Sequence, residues 1–150
     1  MPNNKVLDVA KNMINISNDK GYKLSNLKLN NLLYIAQCVS YSHFGEPMFV
    51  EEMRACENGA KMDEVYVRYL GYGASNIPKE TDVQQLAEED MTMLKGIVEV
   101  YAKVDVWQLV GTVIKTTPWD FTWTVLGGKY PIKNEFFKNS FGEDKDIEEF

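Results

Sequence analysis

Apolar residues recur at three- and four-residue spacing along most of the chain, and that period predicts helices. Over residues 5–18, Val6, Val9, Ala10, Met13 and Ile14 share one face, with Asn4 placed to cap the start and Asn18-Asp19-Lys20-Gly21 to end it. Ser25 is the expected N-cap of a second helix, in which Leu29, Leu32, Leu33, Ala36, Ser40 and His43 form a stripe before Gly45-Glu46-Pro47 stops it. A third helix from Asp63 points Val65, Tyr66, Tyr69 and Leu70 inward and ends at Gly71-Tyr72-Gly73. Residues 88–102 form a longer one, with Glu88, Glu89 and Asp90 in its positive first turn and Met91, Leu94, Ile97, Val98 and Tyr101 inward. Asp105 caps residues 106–114, whose inner face carries Trp107, Val110, Val113 and Ile114. Residues 132–141 make a last helix on Phe136, Phe137 and Phe141.

The period weakens in three places. Residues 48–57 are short, mixed and bounded by turn residues, which suits either a strand or an irregular crossing. Residues 74–82, with Ser75, Asn76 and Pro78, read as a linker and as the point most open to proteolysis. Thr116-Thr117-Pro118 breaks the chain, and residues 119–126 then alternate as a strand would, with Gly127-Gly128 as a turn, unless tertiary context makes them helical. The expected fold is mainly α: a compact single-domain bundle of about six helices, with room for one or two short strands near residues 48–57 and 121–126. The helical domain is expected to span residues 1–142, followed by a solvated acidic tail over 143–150.

Composition narrows the class. A chain of 150 residues and 17.2 kDa suits one domain and can bury a core without disulfides or a metal. Its 45% hydrophobic and 25% charged content excludes a disordered or collagen-like chain. No apolar run approaches a membrane span, and Met1 to Lys5 lead into an amphipathic segment rather than a signal-peptide core. With only Cys38 and Cys56 besides, a reducing, cytoplasmic location without membrane contact is expected. The net charge of −6 is uneven: residues 1–45 carry five lysines against two aspartates, the remainder eleven basic against twenty acidic residues. That acidic majority disfavours nucleic acid and favours a protein or small molecule, a basic one above all.

Candidate chemistry is sparse. Cys38, His43 and Cys56 are the only soft ligands and form no CxxC or HxxxH pair, so neither a zinc site nor any cofactor is expected. Cys38 and His43 lie five apart on one helix and diverge, which assembles no thiol–imidazole pair; Cys38 suits a small buried residue and His43 the negative end of its helix. Glu51-Glu52 and Glu88-Glu89 diverge in the same way and read as solubilising charge. Gly71-Tyr72-Gly73 lacks the third glycine of a dinucleotide fingerprint, and no enzyme is expected. A column beside the apolar stripe of the second helix says more. Asn30, Tyr34, Gln37 and Tyr41 either offer a partner contact area at low entropic cost or form a polar layer where another helix packs. Reading the first two helices as a DNA-binding pair rests on Lys5, Lys11, Lys23 and Lys28. It is weakened by a long intervening segment and by the lack of arginine before Arg54.

The run Leu27-Lys28-Leu29-Asn30-Asn31-Leu32-Leu33-Tyr34-Ile35-Ala36-Gln37 resembles the signature helix of the Panacea domain family, the SocA-like and phage-associated antitoxins. Gly45-Glu46-Pro47-Met48-Phe49 is similar to the family's G-x-P-[LM]-F turn, and Gly59 with Glu64-Val65-Tyr66 to its YGP…PEVY segment. Residues 105–109 and Pro118-Trp119 resemble its later landmarks, so the likeness runs from Val6 to Phe137. The chain departs from the pattern where Cys56, Asn58 and Ala60 replace a W-x-Y-G-P run, and where two asparagines follow the LKL opening in place of Gln-Lys. The resemblance implies a small, mainly helical cytoplasmic protein that binds and neutralises a co-encoded toxin, by masking it or by delivering it to a protease. The departures imply a partner other than the family's usual one, or drift from the antitoxin role. Asn30, Tyr34, Gln37, Tyr41, Arg54, Glu57 and Tyr66 are the expected partner-binding residues. A phage- or prophage-encoded inhibitor or proteolytic adaptor acting on a host protein is the second reading, and a DNA-binding regulator the third.

Overall fold

Helix α2 (Asn26–Phe44) is the element around which the others are arranged. Ser25 starts it by accepting the Lys28 backbone N–H, and Gly45 ends it in the left-handed conformation at φ 70°, a geometry that a Cβ would oppose. Residues 29–38 are buried without interruption, so the helix has no solvent face over three turns and is a core helix, not an amphipathic one. A computed structural model describes residues 4–141 and shows α1 (Val6–Asp19), α3 (Asp63–Arg68), α5 (Val106–Ile114) and α7 (Asn134–Phe141) packed against α2, as is α4 (Glu88–Tyr101). Two three-residue strands, β1 (Arg54–Cys56) and β2 (Gly59–Lys61), form an antiparallel hairpin in which Ala55 pairs with Ala60, and β2 also lies on α2. The mainly α bundle is therefore what the period predicted, and the strand expected near residues 48–57 is β1.

Several expectations are corrected. Residues 119–125 are helical: α6 (Thr117–Asp120) runs into a π-helical turn, Phe121–Val125. The Thr122 hydroxyl donates back to Pro118 O at 2.9 Å, and Trp119 stacks on Trp123 at 5.4 Å, contacts that need a helical period. Trp107 is 58% exposed and Leu70 54% exposed, while Leu109 takes the inward place on α5; His43 likewise faces solvent. Asn4 does not cap α1, because its amide donates to Asp90 Oδ2 at 2.9 Å. The cap comes from far along the chain, where Glu51 Oε1 accepts the Val6 N–H at 3.1 Å. Glu52, next to it, accepts the Asn134 N–H that opens α7, at 3.0 Å. This pair therefore serves two helix N-termini and is more than solubilising charge.

The expected linker is strapped down. Asn12, Asn15 and Asn18 recur every three residues along one edge of α1, and their amides donate to Gln84 O, Glu80 O and Ile77 O at 2.8, 3.0 and 3.0 Å. Asn15 also accepts the Glu80 N–H, and Ile77 is buried. An extended segment without a sheet partner needs its backbone groups satisfied, and these side chains do that. The acidic tail over residues 143–150 and the Phe141 side chain lie outside the described residues; Phe137 is buried and Phe136 half-buried. Among the described residues no helix is long and apolar enough to cross a membrane.

Candidate functional site

The column of α2 faces inward, so the packing layer is the alternative the structure takes. Asn30, Tyr34, Gln37 and Tyr41 are all buried, and none presents a surface to a partner in this conformation. Their polar atoms bind irregular backbone instead. Gln37 accepts the Met48 and Phe49 N–H groups at 2.7 and 3.3 Å and donates to Phe49 O. Asn30 accepts the Met62 N–H at 2.8 Å, and Asn31 accepts the Ala60 N–H at 3.2 Å while donating to Asn58 O. Thr116 gives its hydroxyl proton to Val113 O, so the Tyr34 hydroxyl donates to Thr116 Oγ1 at 2.5 Å and accepts the Trp119 N–H at 3.1 Å. Tyr34 thereby caps α6 from a different helix, and burial pushes its phenol well above the usual range. Tyr41 stacks on Phe137 at 5.7 Å; burial first, then the nearby Glu52 carboxylate, push its phenol up to about 12.

These bonds hold the hairpin in place. The β1 edge is met by Tyr130 O and Pro131, and the outer N–H groups of the β2 side are taken by Asn31 and Asn30. No strand can add to such a hairpin without displacing a bond already made, which leaves recognition to its side chains. Gly59 sits so close to α2 that a Cβ would collide with Asn31 Oδ1, and its φ of 106° already favours glycine. Trp119 closes the turn from the other side, its indole N–H reaching Gly59 O at 2.7 Å.

The hairpin and α3 border a cleft of about 280 Å³, and here the remaining expected residues meet: Arg54, Glu57 and Tyr66 line it, with Asn30 in its wall. Its charge is mixed. Arg54 pairs with Asp63, the Lys61 ammonium lies 4.0 Å over the Tyr66 ring, and Lys129 adds a third cation. Arg54 and Glu57 are exposed and Tyr66 half-buried, so these three, unlike the α2 column, can be touched from outside. Cys56 also borders the cleft, but burial pushes its thiol up, against the pull of Lys61 and Arg54, which is the opposite of an activated nucleophile. Among the described residues no group of His, Cys, Asp and Glu is placed to hold a metal ion.

A second surface was missed by the sequence reading. Between the C-terminal half of α2 and α4 runs an open trough of about 860 Å³ whose walls include Val39, Phe44, Met93 and Val100. Its signal was present: Gly96 interrupts a helical period, and an isolated helical glycine asks for a packing or functional reason. The DNA-reading alternative loses its geometry, since α2 is enclosed where a recognition helix would meet bases. Two lysines of that reading are used inside the chain: Lys28 Nζ donates to Ala102 O at 2.6 Å and Lys11 Nζ to Asp82 O at 3.1 Å.

The family model for the antitoxin SocA-like, Panacea domain matches residues 29–120, well over half of the chain. The chain belongs to this family. The match begins inside α2 and ends with α6, so it takes in the hairpin, the strap and the trough but leaves out α1 and α7, which is narrower than the span from Val6 to Phe137. No curated protein and no solved structure matches it. Within the Panacea match, Asn31, after the LKL opening, is bonded to the backbone of Asn58 and Ala60. Helix and hairpin are thus joined at this point in one local packing unit.

Proposed function

We propose that this Panacea-domain protein is an antitoxin-like interaction module that neutralises a co-encoded toxin by direct binding. Membership of the family supports the class, and one observation supports the surface: buried amides of α2 pre-form the hairpin, whose exposed product is the cleft bordered by Arg54, Glu57 and Tyr66. Pre-organisation lowers the entropy that binding would otherwise lose, and nanomolar affinity, about −12 kcal/mol, needs only a few good anchors. Tyr66, braced by Lys61, is the aromatic anchor, while Arg54 and Glu57 select by charge. No bond is made or broken; masking the toxin suffices.

Expression of the adjacent reading frame, alone and with this chain, tests the reading. The frame is expected to arrest growth alone and to be harmless in the presence of the chain; a harmless frame, or arrest without rescue, removes the proposal. The surface is tested separately by the double change Arg54→Glu and Tyr66→Ala, which is expected to abolish rescue while the melting temperature stays within a few degrees of the parent.

A further inference from the structure

We propose that the trough between α2 and α4 docks a basic, amphipathic α-helix from a protein partner, on a surface distinct from the hairpin cleft. Phe44 is 41% and Val100 53% exposed along its walls, so apolar surface in the lining is left open to water. Positions 89, 93, 96 and 100 of α4 all face it. That three- and four-residue recurrence extends the trough along roughly 16 Å of helix axis, the length over which a partner helix sets i, i+3/i+4 and i+7 anchors.

Gly96 carries the argument further. It lies mid-helix and exposed, and a Cβ built on it would meet nothing among the described residues within 4 Å. Glycine is the poorest helix former after proline, and the packing of this chain gives no reason for it there. What it does provide is bare backbone in the floor of the trough, where another helix can approach closely.

Charge selects the occupant. Glu88 and Glu89 line one end, and among the described residues of the lining His43 is the one basic side chain, with no lysine or arginine. A helix flanked by lysine or arginine is complemented there, and an acidic one repelled. The trough is open along its length, and its polar groups, Ser42, His43 and Thr92 besides the two glutamates, border a channel rather than an enclosed cavity, which favours a helix over a metabolite.

The probe is a fluorescent synthetic helix of about 18 residues with a leucine stripe at i, i+3/i+4 and i+7 and lysines elsewhere, titrated into the full chain and read by anisotropy. Saturable binding is expected, weakened roughly tenfold or more by Gly96→Leu, which fills the floor, and about threefold by Glu88→Gln with Glu89→Gln. Leucine is the better helix former, so Gly96→Leu should melt no lower than the parent, and its loss of binding cannot be assigned to unfolding. The inference is overturned if Gly96→Leu binds within about twofold of the parent, or if the same peptide with glutamate for lysine binds equally well. Sedimentation showing a parent dimer that Gly96→Leu dissociates would assign the trough to a second copy and overturn it as well.

Discussion

Two helices of this protein use side-chain amides for the same task under different conditions. On α1, Asn12, Asn15 and Asn18 hold an extended strap, but Asn15 and Asn18 are only half-buried. On α2, Asn26, Asn30, Asn31 and Gln37 hold the hairpin, the start of α3 and the turn at Met48-Phe49, and all four are buried. Water can replace the Asn15 and Asn18 amides at the α1 edge; it cannot reach the α2 sites or Asn12, which is buried like them. An unmade hydrogen bond therefore carries its full desolvation penalty inside and little of it outside, so the same residue type is a structural necessity on one helix and a fastening on the other.

The largest test of this contrast is at the contact between α2 and the hairpin. Asn31→Leu strips the buried Ala60 N–H of its acceptor and Asn58 O of a donor, and should lower unfolding free energy by about 3 kcal/mol. Gly59→Ala should cost roughly as much, ~3 kcal/mol, because the alanine must hold φ 106° while its Cβ meets Asn31. Urea denaturation reads both, and a loss under about 1 kcal/mol for Asn31→Leu would mean that the buried amide is no more costly to lose than an exposed one. Tyr34→Phe ranks next, with about 1–2 kcal/mol lost as the Trp119 N–H and Thr116 Oγ1 each lose a partner.

On α1 the expected effect is local. Asn15→Ala frees Glu80 N–H and Glu80 O, both near solvent, and should change global stability by no more than about 0.5–1 kcal/mol. Hydrogen exchange at Glu80 should nevertheless accelerate, while amides of α2 keep their protection. Equal acceleration in both would join the strap to the core in one cooperative unit and dissolve the comparison.

How much of this was legible depended on whether the signal was local. Ser25, Gly45 and Asp105 announce helix ends through their own backbone neighbours, and the structure places caps at all three. The helical period was sufficient for α1, α2 and α4, yet it could not reveal that α2 is enclosed, because Asn30, Asn31 and Gln37 look polar until their distant backbone partners are known. The same blindness turned the strap into a linker and Glu51-Glu52 into surface charge: each is explained by a partner more than 40 residues away. Asn58-Gly59 was a readable turn signal one residue out of register, since the turn is Glu57-Asn58 and Gly59 opens β2, and strands of three residues are too short to show alternation. Of the candidate site, Arg54, Glu57 and Tyr66 came together in space, whereas the α2 column is buried, and of its four residues Asn30 bonds the backbone beside the cleft.

The smallest expected effect lies outside both arrays, where charge rather than desolvation is at stake. Glu99 on α4 meets Lys20 at 2.9 Å, the Tyr22 hydroxyl at 2.8 Å and Lys103 at 3.0 Å. The Lys20 contact foremost, then Tyr22 and Lys103, hold its carboxyl at about 2, below the ordinary 4.5. A carboxyl whose folded pKa is depressed favours the native state above its unfolded value and loses that contribution as pH falls through the folded one, so the window runs from pH 4.5 down to 2. Glu99→Gln should therefore flatten the fall of the melting temperature across that window and leave stability near neutrality only slightly lower, since the group is solvent-screened. Raising salt should shrink the difference from the parent, as it would not for Asn31→Leu. An acid limb unchanged by Glu99→Gln would show that the three contacts do not persist in solution. The joint between α1 and α4 would then rest on apolar packing and the Asn4–Asp90 hydrogen bond, leaving the buried amides as the polar contacts that decide the fold.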